Sequence, residues 1–226
     1  FELFCARAGA DDGPWGEQRR LTTDLARELG ASTAQLHERM GEALGVFAPQ
    51  SPAELARALR ARAEWAMGEV AFLGERIAGM DERIGRAYDR LAALDALEPA
   101  IRIHGDYHLG QVLHEREDPG RWFVLDFEGE PLRPLAERSR PDQPLRDLAG
   151  MLRSFDYAAA VGACTDPTWL ADVRAAFLAG YAAERPRPSR EDAERARILL
   201  AALELDKALY EAVYEAQNRP AWISIP

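Results

Sequence analysis

Lysine, cysteine and long apolar stretches are scarce in this sequence. Only Lys207 among the 28 basic residues is a lysine, so chemistry that needs a lysine elsewhere cannot come from this chain alone. The two cysteines, Cys5 and Cys164, are too few for a disulfide framework and are typical of a reducing cytosol. No apolar run approaches the roughly 20 residues that a membrane-spanning helix needs. We therefore expect a cytoplasmic protein with no membrane partner.

Basic residues are also fewer than acidic ones. The 226 residues include 28 basic and 38 acidic side chains, for a net charge of −10. Nucleic acids and anionic membranes attract clustered positive charge, so we expect neither as a partner. The length allows one domain or two small ones, each with its own core.

Helical periodicity and capping signals predict a mostly helical fold. Ser51-Pro52-Ala53-Glu54 combines a capping box with a proline at the first helical position, which predicts a helix from there to about residue 97, broken near Gly74 or Gly79. Other helices are predicted over 17–29 with a break at Gly30, and from 32, 144, 167 and 189 onward. Short β-type runs occur only at 1–5, 101–104, 111–114 and 122–127, with turns between them at 8–16 and 118–120.

The densest polar clusters follow two of these apolar runs. The first cluster begins at the end of the run 101–104 and is His104-Gly105-Asp106-Tyr107-His108-Leu109-Gly110-Gln111. The second begins near the end of the run 122–127 and is Asp126-Phe127-Glu128-Gly129-Glu130. Loops at strand ends are where rigid scaffolds present reactive groups, so we expect the two aspartates to converge. The alternative is that both aspartates only cap turns.

Two reaction classes use carboxylates in this way. In phosphoryl transfer, carboxylate and amide groups hold a divalent metal on a phosphate chain while another carboxylate orients the attacking hydroxyl. In a binuclear metallophosphoesterase, aspartate and histidine bind the metals directly. That second class needs several more histidines than the four present, which are His37, His104, His108 and His114. The pattern therefore favours phosphoryl transfer.

His-Gly-Asp, an amide side chain five residues after the aspartate, and a strand ending in Asp-Phe together resemble the C-terminal lobe of aminoglycoside-phosphotransferase-like small-molecule kinases. The strings HGDYHLGQVL, DFEGEP and YEAVYEAQNRPAWISIP are similar to maltokinases, which phosphorylate maltose with ATP and are sometimes fused to trehalose synthase. The resemblance covers nearly the whole chain. It implies a protein-kinase-like C-terminal lobe, mostly α with a small β-hairpin.

The resemblance also implies roles for the two polar clusters. Asp106 would be the catalytic base, with His108 near enough to contact the substrate or phosphate. Gln111 and Asp126 would bind Mg²⁺ and, through it, the phosphates of ATP. Gln111 departs from the asparagine that is usual in the wider superfamily. Glu128 and Glu130 are candidate second metal ligands or sugar ligands, and the alternative for each is a structural role in the loop.

Two further pairs of residues receive roles from the resemblance. His104 and Asp147 would support the catalytic loop structurally, Asp147 through backbone N–H groups. Phe4 and Cys5, in a hinge strand over residues 1–5, would line the adenine pocket.

The last helix gives an independent indication of a sugar site. At 100° per residue, its polar and aromatic residues Lys207, Tyr210, Glu211, Tyr214 and Asn218 fall within about a 100° wedge. Rings cover the apolar faces of sugars, and polar groups bind their hydroxyls. The alternative is a solvated face with incidental tyrosines.

No Gly-x-Gly-x-x-Gly or Walker sequence occurs in the chain. The resemblance then implies a C-terminal lobe without its N-terminal lobe, and a lobe that alone is inactive or nearly so. Its segments would be the hinge strand (1–5), a helical part (6–98), the catalytic and metal loops (99–130) and a second helical part (131–226).

The expected reaction of the parent protein is the conversion of maltose and ATP to maltose 1-phosphate and ADP, with a possible association with trehalose synthase. One alternative is a related sugar or amino-sugar kinase, such as a glucosamine kinase. Another is a non-catalytic module that binds a sugar or a partner.

Overall fold

Helices carry most of the computed structural model, which describes residues 1–9, 16–70, 79–115, 120–130 and 134–226. The described helices are α1 (Glu2–Ala8), α2 (Glu17–Leu44), α3 (Pro52–Glu69), α4 (Met80–Ala92), α5 (Leu135–Arg138), α6 (Leu145–Val161), α7 (Trp169–Ala183) and α8 (Arg190–Asn218). The strands are short: β1 (Val46–Phe47), β2 (Ala100–Ile101), β3 (Val112–His114) and β4 (Trp122–Val124). The predicted fold class, mostly helical with a small β-hairpin, is confirmed.

The chain divides into two compact units. The first consists of residues 1–47 and 101–187 and contains α1, α2, the hairpin of β3 and β4, and α5 to α7. Its core includes an aromatic cluster in which Phe155 of α6 contacts Phe4 and Phe177, with ring centroids 5.2 and 5.8 Å apart. The second unit consists of residues 48–100 and 188–226 and contains α3, α4 and α8.

Helix α2 is continuous, so the predicted break at Gly30 is wrong. Gly30 lies where α2 crosses α7 at very short range: a Cβ at this position would lie 2.0 Å from the carbonyl oxygen of Phe177. Its glycine is needed for the approach of two backbones, not for a turn. Packing against α7 overrides the low helix propensity of glycine.

The first residues form helix α1, so the predicted hinge strand over 1–5 is wrong. Phe4 and Ala8 are the buried residues of α1, and their spacing of four places them on one helix face. Glu2 in the first turn and Arg7 in the last complement the helix dipole. A short apolar run is ambiguous between strand and helix, and packing against α6 selects the helix.

The hairpin brings the two polar clusters to the same end of a small sheet. Strands β3 and β4 are antiparallel, with Val112 opposite Val124 and His114 opposite Trp122. The Leu125 N–H then donates to the Gln111 carbonyl at 2.9 Å, which extends the pairing by one step toward Asp126. The expected break at Gly74, part of the turn at 118–120 and most of the turn at 8–16 lie outside the described residues.

In the second unit, the predicted capping box at the start of α3 is confirmed. Ser51 Oγ accepts from the Glu54 N–H at 3.2 Å, and Glu54 Oε2 accepts from the Ser51 N–H at 3.0 Å. Helices α3 and α8 are also joined by a salt bridge of 2.8 Å between Arg62 and the buried Asp206. Within the ranges given above, no helix is both long and apolar enough to cross a membrane.

Candidate active site

The imidazole of His104 connects the two polar clusters. Its ring is fully buried, and its Nε2 donates to the Leu125 carbonyl at 2.7 Å. Its Nδ1 accepts from the Asp106 N–H at 3.3 Å. Because one nitrogen donates and the other accepts, the ring is the neutral Nε2–H tautomer. One side chain therefore joins the backbone of Asp106 to the residue that precedes Asp126.

Asp147, near the start of α6, holds the backbone just before Asp106. Its Oδ2 accepts from the His104 N–H at 2.8 Å, and its Oδ1 accepts from the Gly105 N–H at 2.9 Å. Burial alone would raise the pKa of this carboxyl. The hydrogen bond and charge of His37, together with the two backbone N–H groups, outweigh burial and hold the pKa below its ordinary value. The buried carboxylate is therefore ionised and can only accept hydrogen bonds.

Helix α6 approaches the same loop through two smaller residues. Ser154 Oγ accepts from the Leu109 N–H at 3.1 Å. A Cβ at Gly150 would lie 2.6 Å from the Tyr107 carbonyl oxygen, so only glycine allows the loop to lie this close to the helix. The backbone N–H groups of residues 104, 105 and 109 thus donate to side chains of one helix, which holds this loop in place.

Helix α2 supplies two buried contacts that the sequence analysis missed. His37 Nε2 lies 3.1 Å from Asp147 Oδ2, and Thr33 Oγ1 lies 3.0 Å from the Tyr107 hydroxyl. Burial, the largest influence, raises the pKa of Tyr107, so its hydroxyl keeps its proton. The sequence contained a signal for these contacts: Thr33 and His37 are one helical turn apart, on a face that otherwise carries the apolar residues Leu29, Ala34 and Met40.

The carboxylate of Asp106 and the imidazole of His108 lie on the same loop. His108 Nε2 is 4.0 Å from Asp106 Oδ2. The other ring nitrogen, Nδ1, accepts from the Gly110 N–H at 3.0 Å, which leaves the proton of a neutral ring on Nε2, the nitrogen nearer to Asp106. Both side chains are only partly buried. A substrate hydroxyl could therefore reach the carboxylate.

Gln111 and Asp126 meet at the open end of the hairpin. Gln111 Nε2 donates to Asp126 Oδ2 at 3.0 Å. The backbone of Asp126 is in the left-handed region, with φ of 59°, which is uncommon for a residue other than glycine and is typical of functional sites. Arg102 holds the loop that follows by donating to the Phe127 carbonyl at 3.2 Å.

This pair fits a magnesium ion that is shared with phosphates. Mg²⁺ prefers oxygen ligands and is usually held by one or two carboxylates together with substrate phosphates. Asp126 offers carboxylate oxygens, and rotation of the Gln111 amide by 180° would present its oxygen beside them. No cluster of three or more His, Cys, Asp or Glu side chains suited to a metal occurs among the described residues, so a closed protein cage is not formed there.

The two predicted adenine-pocket residues, Phe4 and Cys5, lie in helix α1. Phe4 is 2% exposed and packs on Phe155, so it is a core residue and its assignment to the adenine pocket is wrong. Cys5 is half-buried, and burial raises the pKa of its thiol. Its nucleotide role relied on the hinge strand and stays a prediction.

The two glutamates beyond Asp126 differ in exposure. Glu128 is exposed two residues after Asp126, whereas Glu130 is buried. An exposed carboxylate is open to a ligand, so Glu128 stays a candidate sugar ligand.

In the second unit, α8 carries the predicted sugar-binding residues. Lys207 Nζ lies 5.0 Å from the centre of the Tyr210 ring, and Tyr210 is 6% exposed. Glu211 and Tyr214 are half-buried, and Asn218 is exposed and donates to the Tyr214 carbonyl at 2.9 Å. Tyr210 thus belongs largely to the core of this unit, and the other four leave side-chain surface accessible.

Two residues that the sequence analysis did not single out lie next to that helix face. The guanidinium of Arg219 lies 5.4 Å from the Tyr214 ring centre and 4.5 Å from that of Trp222. The string NRPAW at the end of the resemblance contains both Arg219 and Trp222, so the signal was present in the sequence.

The arrangement of an aspartate loop, an amide and a second aspartate at a hairpin is that of a phosphotransferase. A model of the phosphotransferase enzyme family (APH) matches residues 6–216. The chain belongs to this family.

Two curated relatives are glucosamine kinases. The one from Streptacidiphilus jiangxiensis is 31% identical over 213 residues, which cover 89% of this chain and 47% of the relative. The one from Mycolicibacterium smegmatis (strain ATCC 700084 / mc(2)155) is 32% identical over 216 residues, 90% of this chain and 52% of the relative. The chain therefore spans about half the length of the curated relatives it matches.

Solved structures of glucosamine kinase have a similar fold. Crystal form A superposes with a TM-score of 0.79 at 28% identity and covers 99% of this chain and 52% of the solved chain. The complex with glucosamine, ADP and inorganic phosphate superposes with a TM-score of 0.73 at 30% identity, covering 89% of this chain and 52% of the solved chain.

Proposed function

We propose that this chain is the catalytic C-terminal part of a sugar kinase that transfers the terminal phosphoryl group of ATP to an amino sugar, with glucosamine as the favoured substrate. The observation that carries the proposal is the 3.0 Å contact between Gln111 and Asp126, in loops that His104 joins to Asp106. Family membership and the glucosamine kinase relatives support the same reaction class.

In this reaction, Asp106 would accept or orient the proton of the attacking sugar hydroxyl. Phosphoryl transfer depends mainly on positioning and charge neutralisation, so a fixed backbone beneath this carboxylate is the main requirement on the protein. His104 and Asp147 meet that requirement through the backbone N–H groups of residues 104, 105 and 106. His108, with its Nε2 toward Asp106, would orient the hydroxyl or contact the transferred phosphate.

Gln111 and Asp126 would hold Mg²⁺ through an amide oxygen and a carboxylate oxygen. The ion, when bound, neutralises charge on the ATP phosphates and lowers the barrier to transfer. The protein's own contribution is to keep both ligands at the hairpin end, through the hydrogen bond between Leu125 and Gln111 and through Arg102. ATP as the donor is supported by the solved glucosamine kinase complex, which contains ADP and inorganic phosphate.

The sugar is the part of the proposal on which the sequence and the comparisons differ. The resemblance favours maltose, whereas the curated relatives are glucosamine kinases and support the amino-sugar alternative. The half-buried Glu211 of α8 offers a carboxylate, and a carboxylate is the natural partner of the ammonium group of an amino sugar. An association with trehalose synthase has support from the resemblance alone.

A sugar panel on the full-length protein tests the proposal. ADP release with Mg²⁺ and ATP is measured for glucosamine, maltose and glucose under identical conditions. We expect kcat/KM for glucosamine to exceed that for the other two sugars by at least about tenfold, since a site built for a charged group rejects analogues that lack it. Glu211→Gln should reduce that preference and affect glucose little.

The other outcomes of the panel separate the alternatives. A preference for maltose would overturn the amino-sugar proposal and support the maltokinase interpretation. ADP release with none of the sugars would overturn the kinase proposal and support a non-catalytic binding module.

A further inference from the structure

One face of α2 carries a pair of buried polar side chains that contact the catalytic region. Thr33 and His37 are one helical turn apart, 0% and 5% exposed. Thr33 Oγ1 donates to the Leu29 carbonyl of its own helix at 2.7 Å, so the proton in its 3.0 Å contact with Tyr107 comes from the tyrosine. His37 reaches farther, to the carboxylate of Asp147. Helix formation requires neither contact.

His37 stands in a chain of hydrogen bonds that runs from Arg185 through Tyr181 to Asp147. Arg185 donates to the Tyr181 hydroxyl at 3.1 Å, and that hydroxyl lies 3.1 Å from His37 Nδ1. Because Asp147 is ionised and can only accept, His37 Nε2 must donate to it. The other ring nitrogen, Nδ1, faces the Tyr181 hydroxyl. Chains of this kind polarise one another and hold each member in one orientation.

We propose that His37 is a positioning residue for phosphoryl transfer, acting through Asp147 on the loop that carries Asp106. The inference rests on the proposed function. Asp147 Oδ2 accepts hydrogen bonds from both the His37 imidazole and the His104 N–H. His37 therefore holds in place the oxygen atom that binds the backbone of His104, two residues before Asp106. Small displacements of a catalytic group reduce rates strongly because transfer depends on geometry.

Two substitutions at His37 distinguish this role from mere filling of the core. The side-chain amide nitrogen of glutamine lies about as far from the backbone as histidine Nε2, and that of asparagine lies about as far as histidine Nδ1. His37→Gln therefore keeps a donor for Asp147, whereas His37→Asn keeps a polar group near Tyr181 and loses the donor to Asp147. Both variants are amides, so they differ in reach more than in polarity.

Steady-state kinetics of the full-length protein with glucosamine provide the first measurement. We expect His37→Asn to lower kcat by about 10- to 100-fold with KM for ATP changed less than about threefold, and His37→Gln to restore kcat to within about fivefold of the wild type. Thr22→Val is the matched control, because Thr22 is buried on the same helix and its hydroxyl donates within that helix, to the Gln18 carbonyl at 2.6 Å. The control should leave kcat unchanged.

Amide hydrogen exchange at residues 104 and 105 provides a measurement that does not depend on activity. Their N–H groups should exchange about tenfold faster or more in His37→Asn, and close to the wild-type rate in His37→Gln and Thr22→Val. Equal behaviour of the two amide variants, in kcat and in exchange, would overturn the inference. If the wild type turns over no sugar, the proposed function fails, and exchange alone decides whether His37 fixes the loop.

Discussion

The candidate active site has a buried side and an open side, which are built differently. On the buried side, His37, His104 and Asp147 are at most 5% exposed, and hydrogen bonds join them to one another and to the loop backbone. On the open side, Asp126 and Glu128 are exposed, and Gln111 and Asp106 are partly so. The buried side holds the backbone, and the open side presents oxygen atoms.

Because the two sides are built differently, we expect substitutions on one side to change folding stability and substitutions on the other to change turnover. A buried ionised group is tolerated only while its hydrogen-bond partners are present, so changes on the buried side should affect folding first. Changes on the open side should affect turnover and leave folding almost unchanged, because exposed groups lose little when they are substituted.

The largest loss of stability is expected for Asp147→Asn. The variant removes the charge and turns an amide N–H₂ toward donors, which leaves buried N–H groups without an acceptor. We expect the free energy of unfolding to fall by about 3 kcal/mol, measured by denaturant titration.

Asp142→Asn is the matched control for that change. Asp142 forms an ion pair of 2.7 Å with Arg146 in the same segment but retains more exposure than Asp147. Loss of this ion pair should lower the free energy of unfolding by about 1 kcal/mol or less. A similar cost for both variants would contradict the distinction between the two sides.

The lowered pKa of Asp147 also predicts how the stability of the fold depends on pH. Because its pKa in the folded chain lies below the ordinary value of 3.8, the ionised form stabilises the fold above that pH. The difference in unfolding free energy between the wild type and Asp147→Asn should stay constant near neutral pH and shrink as the pH falls below 3.8. A difference that grows on acidification would contradict the assigned charge state.

A smaller effect is expected for Gly30→Ala, which tests how α2 is held. The added Cβ would meet the Phe177 carbonyl at 2.0 Å and push α2 away from α7. We expect a loss of about 2 kcal/mol in thermal or denaturant unfolding. Because Thr33 and His37 follow on the same helix, kcat should fall as well.

Gly41→Ala is the control on the same helix. A Cβ there meets only side chains, at 3.5 Å, which is an ordinary contact. Since alanine favours helices, this variant should be more stable by about 0.5 kcal/mol. Destabilisation by both variants would show that the close crossing is not the cause.

The residues of the open side could be predicted from the sequence because they are local. Asp106 and Gln111 are five residues apart in one string, and Asp126 ends the next strand, so motif and strand pattern sufficed to propose that they meet. The register that puts Gln111 beside Leu125 then follows from the short hairpin.

The contacts of the buried side could not be predicted in this way. His37 and Asp147 are 110 residues apart, and only the packing of α2 in this unit brings them together. The break expected at Gly30 and the strand expected at 1–5 failed for the same reason, since contacts with α7 and α6 decided the local structure.

The role of Asp106 in phosphoryl transfer is tested most directly by glucosamine-dependent ADP release of full-length Asp106→Asn, measured together with its free energy of unfolding. Asparagine keeps the size of the side chain and removes its ability to accept the hydroxyl proton. We expect kcat to fall by about a thousandfold, with the free energy of unfolding within about 0.5 kcal/mol of the wild type. A variant that turns over within about tenfold of the wild type would contradict the assignment of this carboxylate to the chemistry.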